Sequence, residues 1–155
     1  DFGTQNRMLL SPAIFREYFK PRYAELFSEW KSINPQVKIA FHTDGYVVPI
    51  IPDLIEIGLD ILNPIQPKSM DPAQIKKEFG NHLTLWGTID IQEVLPFGTP
   101  EDVANEVRLR LRTAGTGGGL IIAPAHNLQP DVPIENILTF YETAKTYGRY
   151  PLRFN

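Results

Sequence analysis

Cysteine is absent from the 155-residue chain. That removes disulfides, thiolate nucleophiles and cysteine-held metal, and leaves His, Asp and Glu as the available metal ligands. Positive charge is scarce as well: 15 Lys and Arg against 18 Asp and Glu give a net charge of -3. The basic residues stand singly among acids, so the phosphate-neutralising footprint of a nucleic-acid binder is missing. No apolar run approaches the roughly 18 to 20 residues that a membrane span needs. The expectation is a cytoplasmic protein with neither nucleic acid nor membrane as partner. Histidine is rare, three in all, so imidazole chemistry rests on His42, His82 and His126. The first methionine is Met8, behind Asp1, which points to a piece of a longer polypeptide.

What the chain does contain is alternation. From Ser11 to Lys31, Ile14, Phe15, Tyr18, Phe19, Tyr23, Leu26, Phe27 and Trp30 recur at helical spacing behind a Ser-Pro start, which predicts a long amphipathic helix, kinked at Pro21. Its aromatic stripe of Phe15, Tyr18, Phe19 and Trp30 reads as core. Val37 to Phe41 reads as a strand stopped by His42-Thr43-Asp44-Gly45, and a helix follows from Val47 to Gly58. The unit then repeats. Strands are expected at Leu59–Leu62, stopped by Asn63-Pro64, at Leu83–Trp86, stopped by Gly87-Thr88-Ile89-Asp90, and at Leu120–Ile122. Asp71-Pro72, Thr99-Pro100 and Pro133 open the intervening helices, which end at Gly80, Ala114 and Tyr147-Gly148.

The order is one helix, then four βα units, with no linker in residues 1–155 to divide a single domain. Such alternation specifies an α/β fold with a parallel sheet. A doubly wound nucleotide domain carries a glycine-rich turn after its first strand, and here only Gly45 follows Phe41. A (β/α)₈ barrel instead gathers chemistry after strand C-termini, and the strands here end in His42 and Asp44, Asn63 and Gln66, Thr88 and Asp90, and His126 and Asn127. Four strands and about five helices make half of such a barrel.

The strand-end motifs carry a resemblance. Ser11-Pro12-Ala13-Ile14-Phe15-Arg16-Glu17, His42-Thr43-Asp44-Gly45, Leu85-Trp86-Gly87-Thr88-Ile89-Asp90, Gly118-Gly119-Leu120-Ile121, Pro133-Ile134-Glu135-Asn136-Ile137 and Tyr147-Gly148-Arg149-Tyr150-Pro151 succeed one another along nearly the whole chain. Together they resemble the C-terminal half of the uroporphyrinogen decarboxylase superfamily, a (β/α)₈ barrel that comprises decarboxylases and corrinoid-linked zinc methyltransferases. The resemblance implies cofactor-free decarboxylation of tetrapyrrole acetate side chains, with His126 as carboxylate contact or proton donor and Asp44, beside His42, as charge partner. The alternative it implies is a zinc methyltransferase acting with a corrinoid. There His42-x-Asp44 replaces the subfamily's His-x-Cys, and His126 replaces its distant Cys. Thr88 stands where the family usually has asparagine, and Ala125 where it has glycine. The decarboxylase's N-terminal arginine motif and essential aspartate would precede Asp1, so the chain alone is expected to be inactive.

Each candidate residue also has a plainer role. His42 and Asp44, two apart at a strand end, project to one side, and with His126 they form a possible zinc set; Asp44 equally suits the start of the next helix. Asn63, Gln66, Thr88, Asp90 and Asn127 are candidates for binding the substrate, a tetrapyrrole or a methyl donor, although Asn63-Pro64 and Asp90 also suit loop and helix-start geometry. His82 precedes its strand and reads as a surface residue, and Gly115 to Gly119 as a turn. Half a barrel leaves sheet edges and an apolar interior exposed. A third expectation is therefore a non-catalytic fragment that forms a homodimer or pairs with a missing N-terminal half.

Overall fold

A computed structural model describes residues 1–154. Its framework is a four-stranded sheet of β1 (Ala40–His42), β2 (Ile61–Ile65), β3 (Thr84–Ile89) and β4 (Leu120–Pro124), neighbours in chain order. All pairings are parallel. The register aligns Phe41, Leu62, Leu85 and Leu120 in one row across the sheet, and Leu62 and Leu85 in that row are fully buried. Helices separate the strands, as parallel connections require.

The first helical stretch consists of α1 (Pro12–Ile14), a π-helical segment (Phe15–Phe19) and α2 (Lys20–Ile33). The expected kink is thus a π segment just ahead of Pro21, with the Lys20 N–H donating to the Phe15 carbonyl. Proline has no N–H and its ring crowds the carbonyl four residues back, so a wider turn before it relieves the clash. The aromatic stripe is only partly core. Phe15 is fully buried, whereas Tyr18 is 52% and Trp30 44% exposed, because the widened turn shifts the helical phase.

After a 3₁₀ turn (Val48–Ile50) come α3 (Ile51–Glu56), α4 (Pro72–Phe79), α5 (Val94–Phe97), α6 (Pro100–Arg110) with a π segment (Leu111–Gly115), and α7 (Ile134–Tyr147). The caps work as their residue types specify. The Asp71 carboxylate accepts from the Ala73 N–H, and Thr99 and Asp102 form a reciprocal capping box. The short α5 has no counterpart in the sequence reading. No helix among the described residues is long and apolar enough to cross a membrane.

Strand limits differ from expectation at the functional end. β2 runs through Asn63-Pro64 and β3 through Gly87-Thr88-Ile89. Pro64 lies at a register shift between Leu62 and Ile65, where the missing N–H costs no ladder bond. Gly87 and Thr88 keep their pairing with Ile122 and Ala123 even though both have positive φ.

Two apolar clusters flank the sheet. One gathers Phe2, Phe15, Phe27 and Leu54 with Leu62 and Leu85. The other packs Val103, Val107, Leu111 and Phe140 under Ile89.

Candidate active site at the C-terminal rim

β1 ends on His42, and the next residues turn sharply, with Gly45 at φ 83°. That turn brings Asp44 back toward the strand end, so Asp44 Oδ2 lies 3.4 Å from His42 Nε2. The loop after β4 supplies His126, whose Nε2 lies 3.9 Å from the same oxygen. The sequence-predicted trio therefore converges on one carboxylate oxygen.

β2 contributes Asn63, paired in register with His42. Its Oδ1 lies 2.6 Å from His42 Nδ1. A carbonyl oxygen only accepts, so this contact places a proton on Nδ1 and leaves Nε2 facing Asp44. The second Asp44 oxygen, Oδ1, is buried without a hydrogen-bond partner among the described residues. Such an arrangement calls for a proton or a cation between the groups.

A cleft of about 430 Å³ opens at this rim, lined by His42, Asn63, Trp86, His126 and Asn127 together with the short Ala123–Ala125 segment. His42, Asn63, His126 and Asn127 are where the sequence analysis placed them. Four other candidates do not line the cleft, and one of them, Asp44, reaches it only through His42 and His126. Gln66 accepts the Gly45 N–H through Oε1 at 2.5 Å, so it braces the Asp44 turn. Thr88 is fully buried, its hydroxyl unpartnered and its φ 86°. Asp90, 3% exposed, accepts from the Gln92 and Val94 N–H groups. Of its two expected roles the structure assigns helix start, because the uncapped first turn of α5 needs an acceptor.

Behind Asp90, Glu106 is buried in α6 and accepts from the Asp90 N–H and from Arg110. Burial pushes its carboxyl above the usual range, with the Arg110 hydrogen bond and charge opposing.

Two participants were missed. The Asp1 carboxylate accepts the Asp44 N–H at 3.0 Å, and Asp1, His42 and Asp44 offer ligand atoms all within 4.8 Å of one another. Trp86 forms part of the cleft wall at 37% exposure. Strand alternation identifies Trp86 as facing the opposite side of the sheet from Leu85, whereas nothing local marks Asp1. It is placed by the buried ring of Phe2 and by the Phe2 N–H donating to Thr43 Oγ1 at 2.8 Å. His82 lies exposed ahead of β3, at the far end of the sheet from the cleft.

The model of the uroporphyrinogen decarboxylase (URO-D) family matches residues 2–147. The methylcobamide:CoM methyltransferase MtaA of Methanosarcina barkeri is 27% identical over 129 residues, 83% of this chain and 35% of that protein. The uroporphyrinogen decarboxylase of Trichodesmium erythraeum is 27% identical over 136 residues, 88% of this chain and 37% of that protein. Among solved structures, a methyltransferase from Methanosarcina mazei superposes with a TM-score of 0.73 at 24% identity, covering 95% of this chain and 41% of that one. The chain thus spans little more than a third of the length of these curated relatives, and its α/β sheet corresponds to half of a (β/α)₈ barrel.

Proposed function

The chain belongs to the uroporphyrinogen decarboxylase family, and from that premise we propose that its rim serves metal-assisted methyl transfer, with a methylated corrinoid as donor and a thiol or alcohol as acceptor. The single observation that carries this reading is the approach of His42 Nε2 to Asp44 Oδ2, 3.4 Å apart. A ring nitrogen and a carboxylate oxygen so placed are joined by a proton or by a metal cation, and the buried Asp44 Oδ1, without a partner among the described residues, adds a second unsatisfied oxygen.

The donor atoms that lie close enough together for a borderline divalent ion such as zinc are those of Asp1, His42 and Asp44, one imidazole and two carboxylates within 4.8 Å of one another. These three would hold it, with His126 Nε2, 3.9 Å from Asp44 Oδ2, as a neighbouring nitrogen donor. When bound, such a metal lowers the pKa of a coordinated thiol or alcohol and so makes a nucleophile at neutral pH. The remaining work is positional. Asn63 fixes the His42 ring and tautomer through Nδ1. Gln66 pins the turn bearing Asp44, and Trp86 gives the cleft an apolar wall against which an uncharged methyl donor can lie.

A second reading is cofactor-free decarboxylation of tetrapyrrole acetates, with His126 contacting the carboxylate or donating a proton and Asp44 balancing charge. The same His-Asp-His set favours it, because a proton between Asp44 and either imidazole also joins these groups.

Calorimetric titration of zinc into the chain distinguishes the two. Saturable binding in the micromolar range is expected, weakening in acid because protons compete with the metal for its ligands. His42→Ala should weaken it at least about tenfold, while His82→Ala binds as wild type. No zinc binding, or equal loss in the two variants, removes the methyl-transfer reading and leaves decarboxylation.

A further inference from the structure

A second cavity, of about 560 Å³, shares no lining residue with the rim cleft. One wall is the hairpin closed by the Gly3–Met8 bridge, in which the Thr4 N–H donates to the Arg7 carbonyl at 2.7 Å. Leu9 to Pro12 form the floor, and Tyr46 and Pro49 the other wall. The volume lies within the roughly 300 to 1,000 Å³ usual for small-molecule sites.

The charge in this cavity has one sign. Among the described residues Arg7 is its only ionisable group of full charge, and no Asp or Glu lines it. The ion pairs among the described residues engage Arg16, Lys20, Lys31, Lys38, Lys68 and Arg110, and none engages Arg7. Its guanidinium is exposed and offers five N–H donors in a fork that matches a carboxylate or phosphate. Around it Met8, Leu10, Pro12 and Pro49 present apolar surface, which an inorganic ion does not use.

We propose that this cavity binds a small organic anion with an apolar body, Arg7 taking the anionic head and the Tyr46 side flanking the body. The bound molecule would touch both segments that hold the rim in place. The Tyr46 N–H donates to the Thr4 carbonyl at 2.7 Å, and a Cβ at Gly45 would meet that carbonyl at 2.5 Å. No slack remains between the hairpin and the Asp44 turn. Occupancy therefore biases the geometry of Asp44, although binding itself is independent of the methyl-transfer reading and needs neither metal nor corrinoid.

The test is titration of benzoate, phenyl phosphate and the uncharged benzamide into the ¹⁵N-labelled chain, read by amide shifts. Saturable binding of either anion at Thr4, Arg7 and Tyr46 is expected, and the tighter of the two identifies the head group. Benzamide should bind about tenfold more weakly, as the loss of a charge-assisted hydrogen bond implies. Arg7→Gln should lose about tenfold as well, Arg7→Lys less because the charge remains, and Arg22→Gln, on an exposed face of α2, nothing. Since the Arg7 side chain is exposed, these variants keep the fold, and far-ultraviolet circular dichroism checks it. The proposal is overturned if Arg7→Gln binds the anions as wild type, if benzamide binds as tightly as benzoate, or if the shifts fall at His42 and His126 instead.

Discussion

The two ends of the parallel sheet treat their polar groups in opposite ways. At the N-terminal end the turns are tied off. Lys31 donates to the Gly58 carbonyl and Lys76 to the Gly118 carbonyl, each at 2.6 Å, while the Asp60 carboxylate accepts the Ile39 N–H and pairs with Lys31. Among the described residues three buried side-chain atoms lack partners, Asp44 Oδ1 and Thr88 Oγ1 at the C-terminal rim and Arg110 Nε in α6, and Thr88 is held at φ 86°. Native proteins satisfy nearly all buried polar atoms, and exceptions concentrate where a ligand completes the set. The N-terminal turns are tied off by the chain's own lysines, whereas two oxygens at the C-terminal end are not.

The contrast is sharpest between two glycines. Both have φ near 80°, but a Cβ at Gly45 would meet backbone atoms of Gly3 and Thr4 within 2.6 Å, whereas a Cβ at Gly117 would meet nothing within 4 Å. Gly45→Ala is expected to cost about 3 kcal/mol, left-handed strain plus overpacking against immovable backbone, and Gly117→Ala about 1 kcal/mol from strain alone. Urea denaturation of the pair measures the difference; equal costs would mean that the rim is no more tightly built than the opposite turn.

Asp60 tests the finished end. Burial alone would raise its carboxyl, but the Ile39 N–H, Lys31 and Lys38 outweigh burial and hold it below the usual range. Its contribution is therefore complete above the pKa of the unfolded carboxylate and is lost as pH falls through the lower, folded value. Asp60→Asn should cost about 1 to 2 kcal/mol at neutral pH, with the gap to wild type closing below about pH 4. A gap unchanged in acid would show that the carboxylate's charge contributes nothing there.

The smallest effect is expected at Thr88. Replacing it with glycine removes a strained β-branched residue and an unpaired hydroxyl, offsetting the lost methyl packing, so stability should change by less than about 1 kcal/mol. Thr84→Gly, in the regular part of β3, should lose about 1 kcal/mol or more. If Thr88→Gly is the costlier of the two, the rim is not under strain.

Legibility followed the range of the interactions. Helix starts at Ser11-Pro12, Asp71-Pro72 and Thr99-Pro100 were readable because a cap acts within three residues of itself. Strand ends were not. The apolar run Val37–Phe41 predicted a strand, but the ladder forms over Ala40–His42, and Asn63-Pro64 and Gly87-Thr88 read as stops yet lie inside β2 and β3. A parallel ladder is set by the neighbouring strand, which tolerates proline at a register shift and glycine at a kink. At the rim, His42, Asp44, Asn63 and His126 were legible from their places after apolar runs. Asp90 was legible as a helix start, as its acceptance of the Gln92 and Val94 N–H groups shows, whereas Gln66 was legible only as a polar residue, since bracing a turn needs a partner that residue type does not name.

The sequence by itself determined the order of elements, the parallel α/β class and the lack of a cysteine side chain, because caps, periodicity and composition act locally or not at all. Only the tertiary structure decided which side chains share a site. Asp1 reaches Asp44 across 43 residues of chain, and His126 comes beside Asp44 from the far edge strand β4. No local pattern encodes those meetings, because they arise when the buried row from Phe41 to Leu120 fixes the strands' register and every strand end moves with it.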